Sequence, residues 1–105
     1  MSADTLDTFG RPVVAITGVG VVSSLGRGVE ENWTALTQGR SGIHRITRFP
    51  TENLRTTIAG IVDFMDVEPW SGIDLSYALA EAAGTEAIES AGLDARRFDA
   101  PLFLA

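Results

Sequence analysis

Apolar positions along the chain fall into a few short blocks separated by polar, glycine-bearing stretches, and the blocks differ in period. Residues 1–11 are polar, acidic and aperiodic, the pattern of a frayed leader, and structure is expected from Pro12 onward. In residues 13–17 the side chains are apolar without alternation and mostly β-branched, which predicts a short strand covered on both faces. A glycine-rich passage, residues 18–26, follows and predicts a tight strand-to-helix turn. Val29, Trp33 and Leu36 then recur at i, i+4 and i+7, sharing one face of a helix over 29–38. Glu30 and Glu31 suit its positive end, and Gly39 stands where a left-handed terminating residue belongs.

Residues 40–56 show only weak periodicity and read as a connection, long for a compact domain, of the kind that wraps something larger. Residues 57–62 predict a second strand interrupted by Gly60, and the pattern is lost again over 63–72. The strongest helical signal runs over 74–91. Asp74 is its expected cap, Leu75, Leu79, Ala82, Ala83, Ala87, Ile88 and Ala91 recur at helical spacing, and Gly92 closes it. Its alanines predict burial on more than one side, and Gly84, which costs about 1 kcal/mol relative to alanine in a helix interior, predicts close packing at that point. Leu102, Phe103, Leu104 and Ala105 follow Pro101 as an apolar run with the character of a third buried strand, so the natural polypeptide is expected to continue.

Composition narrows the chemistry. At 45% hydrophobic and 21% charged, the 105 residues belong with globular chains. Eight basic against fourteen acidic residues give a net charge of −6 with no basic stripe, which disfavours nucleic acid as a partner. No apolar run approaches the ~20 residues a membrane-spanning helix needs. The run at 13–22 is preceded by Asp4 and Asp7 and interrupted by Gly18 and Gly20, unlike a secretory signal, so a cytoplasmic location is expected. The chain has no cysteine and one histidine, His44.

The glycine passage fails the dinucleotide pattern Gly-x-Gly-x-x-Gly because position 23 is serine, and no acidic residue ends a second strand about 20 positions on. What residues 13–26 do resemble, in Val13-Val14-x-Ile16-Thr17-Gly18-x-Gly20-x-x-Ser23-x-x-Gly26, is the opening of β-ketoacyl synthases. Further landmarks of that family follow in order. They are Trp33 and Leu36 in a helix, Gly39-Arg40-Ser41-Gly42-Ile43, Ile46-Thr47-Arg48-Phe49, Ile58-Ala59-Gly60-x-Val62-x-Phe64, and an alanine-rich helix ending Ala91-Gly92-Leu93.

The resemblance implies an α/β fold, with residues 12–105 forming part of the first half of a thiolase-like domain, a mixed sheet covered by helices. It implies a parent acyltransferase in fatty-acid or polyketide synthesis. There a cysteine takes an acyl chain as thioester, and decarboxylation of a malonyl thioester supplies the attacking carbanion. It also implies an acyl carrier protein as partner, a homodimeric parent and no cofactor. The family's active-site residues lie beyond this chain, so no catalytic, cofactor-binding or metal-binding residue is assigned within it. His44 and Ser23, Ser24 and Ser41 are read as surface or turn residues, Met65 and Trp70 as too isolated for a cofactor site, and the acidic residues as lacking metal spacing. Two departures stand out: Ser24 where proline is common, and no basic segment between Phe64 and Asp74 to attract an acidic carrier protein. Two other readings remain open at this point, a non-catalytic packing or partner module similar to a chain-length factor, and half of a nucleotide-binding fold.

Overall fold

A computed structural model describes residues 5–68 and 71–104; residues 1–4 of the leader, Trp70 and Ala105 lie outside the described residues. The element order is β1 (Val22–Ser23), β2 (Gly26–Arg27), α1 (Val29–Thr37), β3 (Ile43–Arg45), β4 (Ile58–Gly60), α2 (Gly72–Ser90) and a 3₁₀ turn at Ala95–Arg97. The architecture is mixed α/β, as expected for part of such a domain, but its ladders are small. β1 pairs antiparallel with β2 in the register Val22 to Arg27 and Ser23 to Gly26. β3 pairs antiparallel with β4, with Ile43, His44 and Arg45 opposite Gly60, Ala59 and Ile58.

Both helices end as their glycines predict, α1 at Gly39 (φ 66°) and α2 at Gly92 (φ 80°), each in the left-handed region. The start of α2 differs from expectation. Ser71 is the cap, its Oγ accepting from Asp74 N at 3.1 Å, so Asp74 lies within the first turn, favoured there by the helix dipole. The long connection also holds structure, since β3 lies inside it and uses residues 58–60 as its partner. A pairing that joins segments 15 residues apart leaves no period in either segment alone.

The expected first strand is not realised as a strand. Residues 13–17 pair with nothing among the described residues in a ladder, and Val14 and Ile16 are 87% and 85% exposed. The apolar run at residues 102–104 is likewise unpaired, with Phe103 90% exposed. Side-chain pattern sets strand propensity, but a strand exists only where a neighbour takes its N–H and C=O groups.

On α1 the Val29, Trp33 and Leu36 face points to solvent, while Asn32 and Ala35 on the adjoining face are buried. No described residue of α2 is fully buried, and a side chain at Gly84 would meet nothing within 4 Å, so the close packing expected there is absent. That packing occurs one residue earlier on the helix, along Ala83 and Ala87, as described below.

The total exposed surface is 8528 Å², against about 5,700 Å² for a compact monomer of 11.2 kDa. The radius of gyration, 18.3 Å, likewise exceeds the ~13 Å of a compact chain this long. The chain therefore presents faces that a finished hydrophobic core would hide.

Ahead of that, residues 5–13 close on Asp7. Its carboxylate accepts from Phe9 N (2.8 Å), Arg11 N (2.9 Å) and Arg11 Nε (2.7 Å), and the Arg11 guanidinium lies over the Phe9 ring. Leu6 and Pro12 form an isolated bridge across it. The hydrogen bond from the Arg11 backbone is the largest influence lowering the Asp7 pKa below its ordinary 3.8.

Candidate functional site

The glycine turn is where most long-range polar contacts converge, and its geometry explains why its residues are small. A Cβ on Gly20 would stand 2.9 Å from both the carbonyl carbon of Ala83 and the amide nitrogen of Ala87, and nearer still to the Ala83 oxygen. A Cβ on Gly18 would lie 2.7 Å from Ser90 Oγ and 2.8 Å from Ala91 N. Glycine is needed at both positions because the turn's backbone rests directly on the backbone of α2. The alanines of α2 serve the same approach from the other side.

Two side chains of α2, one helical turn apart, complete that contact. Ser90 Oγ accepts from Val19 N at 3.0 Å and reaches Val19 O and Ala87 O, while Glu86 accepts from Val21 N at Oε1 and from Val29 N at Oε2, both at 2.9 Å. On the α1 side, Asn32, 7% exposed, donates through Nδ2 to Gly26 O (2.9 Å) and Gly28 O (2.8 Å) and accepts at Oδ1 from Ser23 Oγ. Ser23 Oγ in turn accepts from Leu25 N at 3.1 Å, and Glu31 accepts from Arg27 N at 2.8 Å. Each polar group thus tightens the turn; a phosphate seated there would have to displace Glu86 from the amides it already holds.

The serines read as turn residues are placed accordingly. Ser23 is the hub just described, Ser41 Oγ accepts from Ile43 N at 3.1 Å, and Ser24 packs against Gly42 and Gly60. That contact brings the landmark at residues 39–43 against the glycine-rich opening. His44 is exposed, on β3 opposite Ala59 rather than in a loop.

Beside the turn an open groove of about 740 Å³ runs along α2, lined by Met65, Arg27 and the carboxylates of Glu81, Glu86 and Glu89. Its charge is predominantly negative, which suits neither a phosphate nor a malonyl thioester. Among the described residues no group of three or more His, Asp or Glu side chains is placed to hold a metal ion, and no helix is long and apolar enough to cross a membrane. Sequence reasoning missed Asn32, Glu86 and Ser90. The signal available was a Glu-x-x-x-Ser step beside Ala83 and Ala87, polar residues on the helix face that carries the small ones.

With the turn serving as a packing joint, comparison with known proteins decides the family. Residues 11–103 match the family described as "Beta-ketoacyl synthase, N-terminal domain". The chain belongs to the β-ketoacyl synthase family. It is 39% identical over 87 residues to 3-oxoacyl-acyl-carrier-protein synthase 2 of Vibrio cholerae, covering 77% of this chain and 21% of that protein. With the Coxiella burnetii protein of the same name it shares 38% over 94 residues, 84% of this chain and 23% of the relative. A putative polyketide β-ketoacyl synthase 1 of Streptomyces cyaneus is 38% identical over 87 residues, 77% of this chain and 21% of its own length. The synthase segment described here therefore spans about a fifth of the relatives it matches.

Proposed function

We propose that this chain is the amino-terminal scaffold of a β-ketoacyl-acyl carrier protein synthase with a thiolase-like fold, and that it has no condensing activity by itself. In this reading residues 12–105 belong to the synthase domain and residues 1–11 precede it. The parent enzyme joins an acyl group, carried as a thioester, to the carbanion left when a malonyl thioester loses carbon dioxide. Nucleophile, decarboxylating groups and oxyanion donors come from the four-fifths of the relatives' length that this chain does not span. An acyl carrier protein delivers the substrate, the parent is a cytoplasmic homodimer, and the product enters fatty-acid or polyketide synthesis.

The observation that carries this reading is the unpaired apolar segment at 13–17, exposed on a chain whose residues 11–103 match the synthase amino-terminal domain. A chain that leaves Val14, Ile16 and Phe103 in water is built to be covered, and the excess surface of about 2,800 Å² is more than three times the ~800 Å² a typical protein partner buries on one side. The remainder of a synthase domain is an occupant of that size.

The test is a graft. The matched 87 residues of the Vibrio cholerae synthase are replaced by their counterparts from this chain, and condensation of acyl and malonyl thioesters is measured for the graft, for the same synthase lacking the segment, and for this chain alone. Activity in the graft and none in the other two is expected. Turnover by the chain alone, or a folded graft that does not condense, would overturn the proposal.

A further inference from the structure

Helix α1 begins without a cap of its own. Its N-cap residue is Gly28, which has no side chain to accept from the first-turn amides, although the positive end of a helix normally attracts an acceptor. The acceptor comes from elsewhere in the chain. Glu86, 57 residues away on α2, places Oε2 2.9 Å from Val29 N and Oε1 2.9 Å from Val21 N. A Cβ on Gly28 would lie 3.0 Å from Glu86 Oε2, so the usual serine or aspartate cap would crowd the carboxylate that replaces it. Gly28 N donates to Val21 O at 2.8 Å, so Val21 is also tied through the backbone to the residue that precedes Val29.

We propose that Glu86 is the resident anion of the glycine turn: a single carboxylate that caps α1 from another helix and holds the start of the turn and the start of the helix at a fixed separation. It is a positioning residue, holding Val21 against the start of α1. Both oxygens are used and both donors are backbone amides, so neither a neutral amide side chain nor a packing methylene reproduces it. Glutamine would meet one of the two N–H groups with its own NH₂. Aspartate, one methylene shorter, would not reach both.

The experiment measures amide hydrogen exchange at Val19, Val21 and Val29 in the full chain, for wild type, Glu86→Ala and Glu86→Gln, with and without formate. Val19, held by Ser90, is the internal control. Charge-assisted bonds of this kind predict roughly 10- to 150-fold faster exchange at Val21 and Val29 in Glu86→Ala. Formate, a free carboxylate that fits the vacated space, is expected to restore much of that protection, and formamide is not. Glu86→Gln is expected to protect at most one of the two amides. If Glu86→Ala fails to fold, the isosteric Glu86→Gln decides alone. Unchanged protection at both amides in either variant, or a loss that formate does not reverse while Val19 stays protected, would overturn the proposal.

Discussion

Gly20→Ala tests the account of the turn most directly. The added methyl would stand 2.9 Å from Ala83 C and from Ala87 N, where carbon contacts are comfortable only at about 3.5–4.0 Å. Both neighbours are backbone atoms inside a helix, so no side chain can rotate away. Relief of these two contacts alone requires the turn and α2 to separate by ~0.6 Å, and the Ala83 oxygen, nearer still, requires more. The separation carries the 2.9 Å bond from Val21 N to Glu86 beyond about 3.5 Å, the edge of a useful hydrogen bond. Overpacking of about 1–3 kcal/mol and a weakened charge-assisted bond of about 1.5–3 kcal/mol together predict a loss of roughly 2.5–6 kcal/mol. A large part of any small domain's stability would go with it. Urea unfolding followed by circular dichroism measures the loss, and exchange at Val19 and Val21 locates it. A variant within about 0.5 kcal/mol of wild type, a typical surface effect, would refute the claim that glycine is there for backbone contact.

Gly84→Ala is the converse case: its methyl meets only open space, so the variant is expected to gain about 1 kcal/mol of helix stability in the same urea titration. Asn32→Ala removes the side-chain donor to Gly26 O and Gly28 O, of which Gly28 O keeps its bond from the residue 32 amide, and takes away the acceptor of the Ser23 hydroxyl; a loss of about 2 kcal/mol is expected after allowing for alanine's better helix propensity, read as a lower urea midpoint at unchanged slope. The loop on Asp7 should depend on pH with a defined sign. The folded pKa is depressed, so the loop's contribution is complete above the ordinary 3.8 and is lost as pH falls through the lower folded value. Amide shifts of Phe9 and Arg11 are expected to move together in that acid range, and Asp7→Asn to abolish the movement.

The parts of this structure legible in the sequence are those decided within a few residues. The two glycine stops, the acidic first turn of α1 and the ordered family landmarks all rest on local chemistry, and the comparisons bear out the family read from them. The partners of the turn were not legible. Glu86 reaches Val21 and Val29 across 65 and 57 residues, and although it shares a helix face with Ala83 and Ala87, nothing local names the distant amides it meets. Gly84 misled for a related reason: its smallness suggested a contact that the structure makes through Ala83 and Ala87, about a quarter-turn of helix away. Residues 13–17 were legible as strand material, but a ladder needs a second strand, and none of the described residues provides one.

Where Gly18 and Gly20 meet Ala83 and Ala87, main chain touches main chain with almost no flexible atoms between. Such a seam has no cushioning: side chains that could swing aside, fill a gap or share a small displacement are missing from both surfaces. It is either seated or parted. An atom inserted anywhere along it should therefore displace the turn as one piece, where an ordinary loop would absorb the same atom by local shifts.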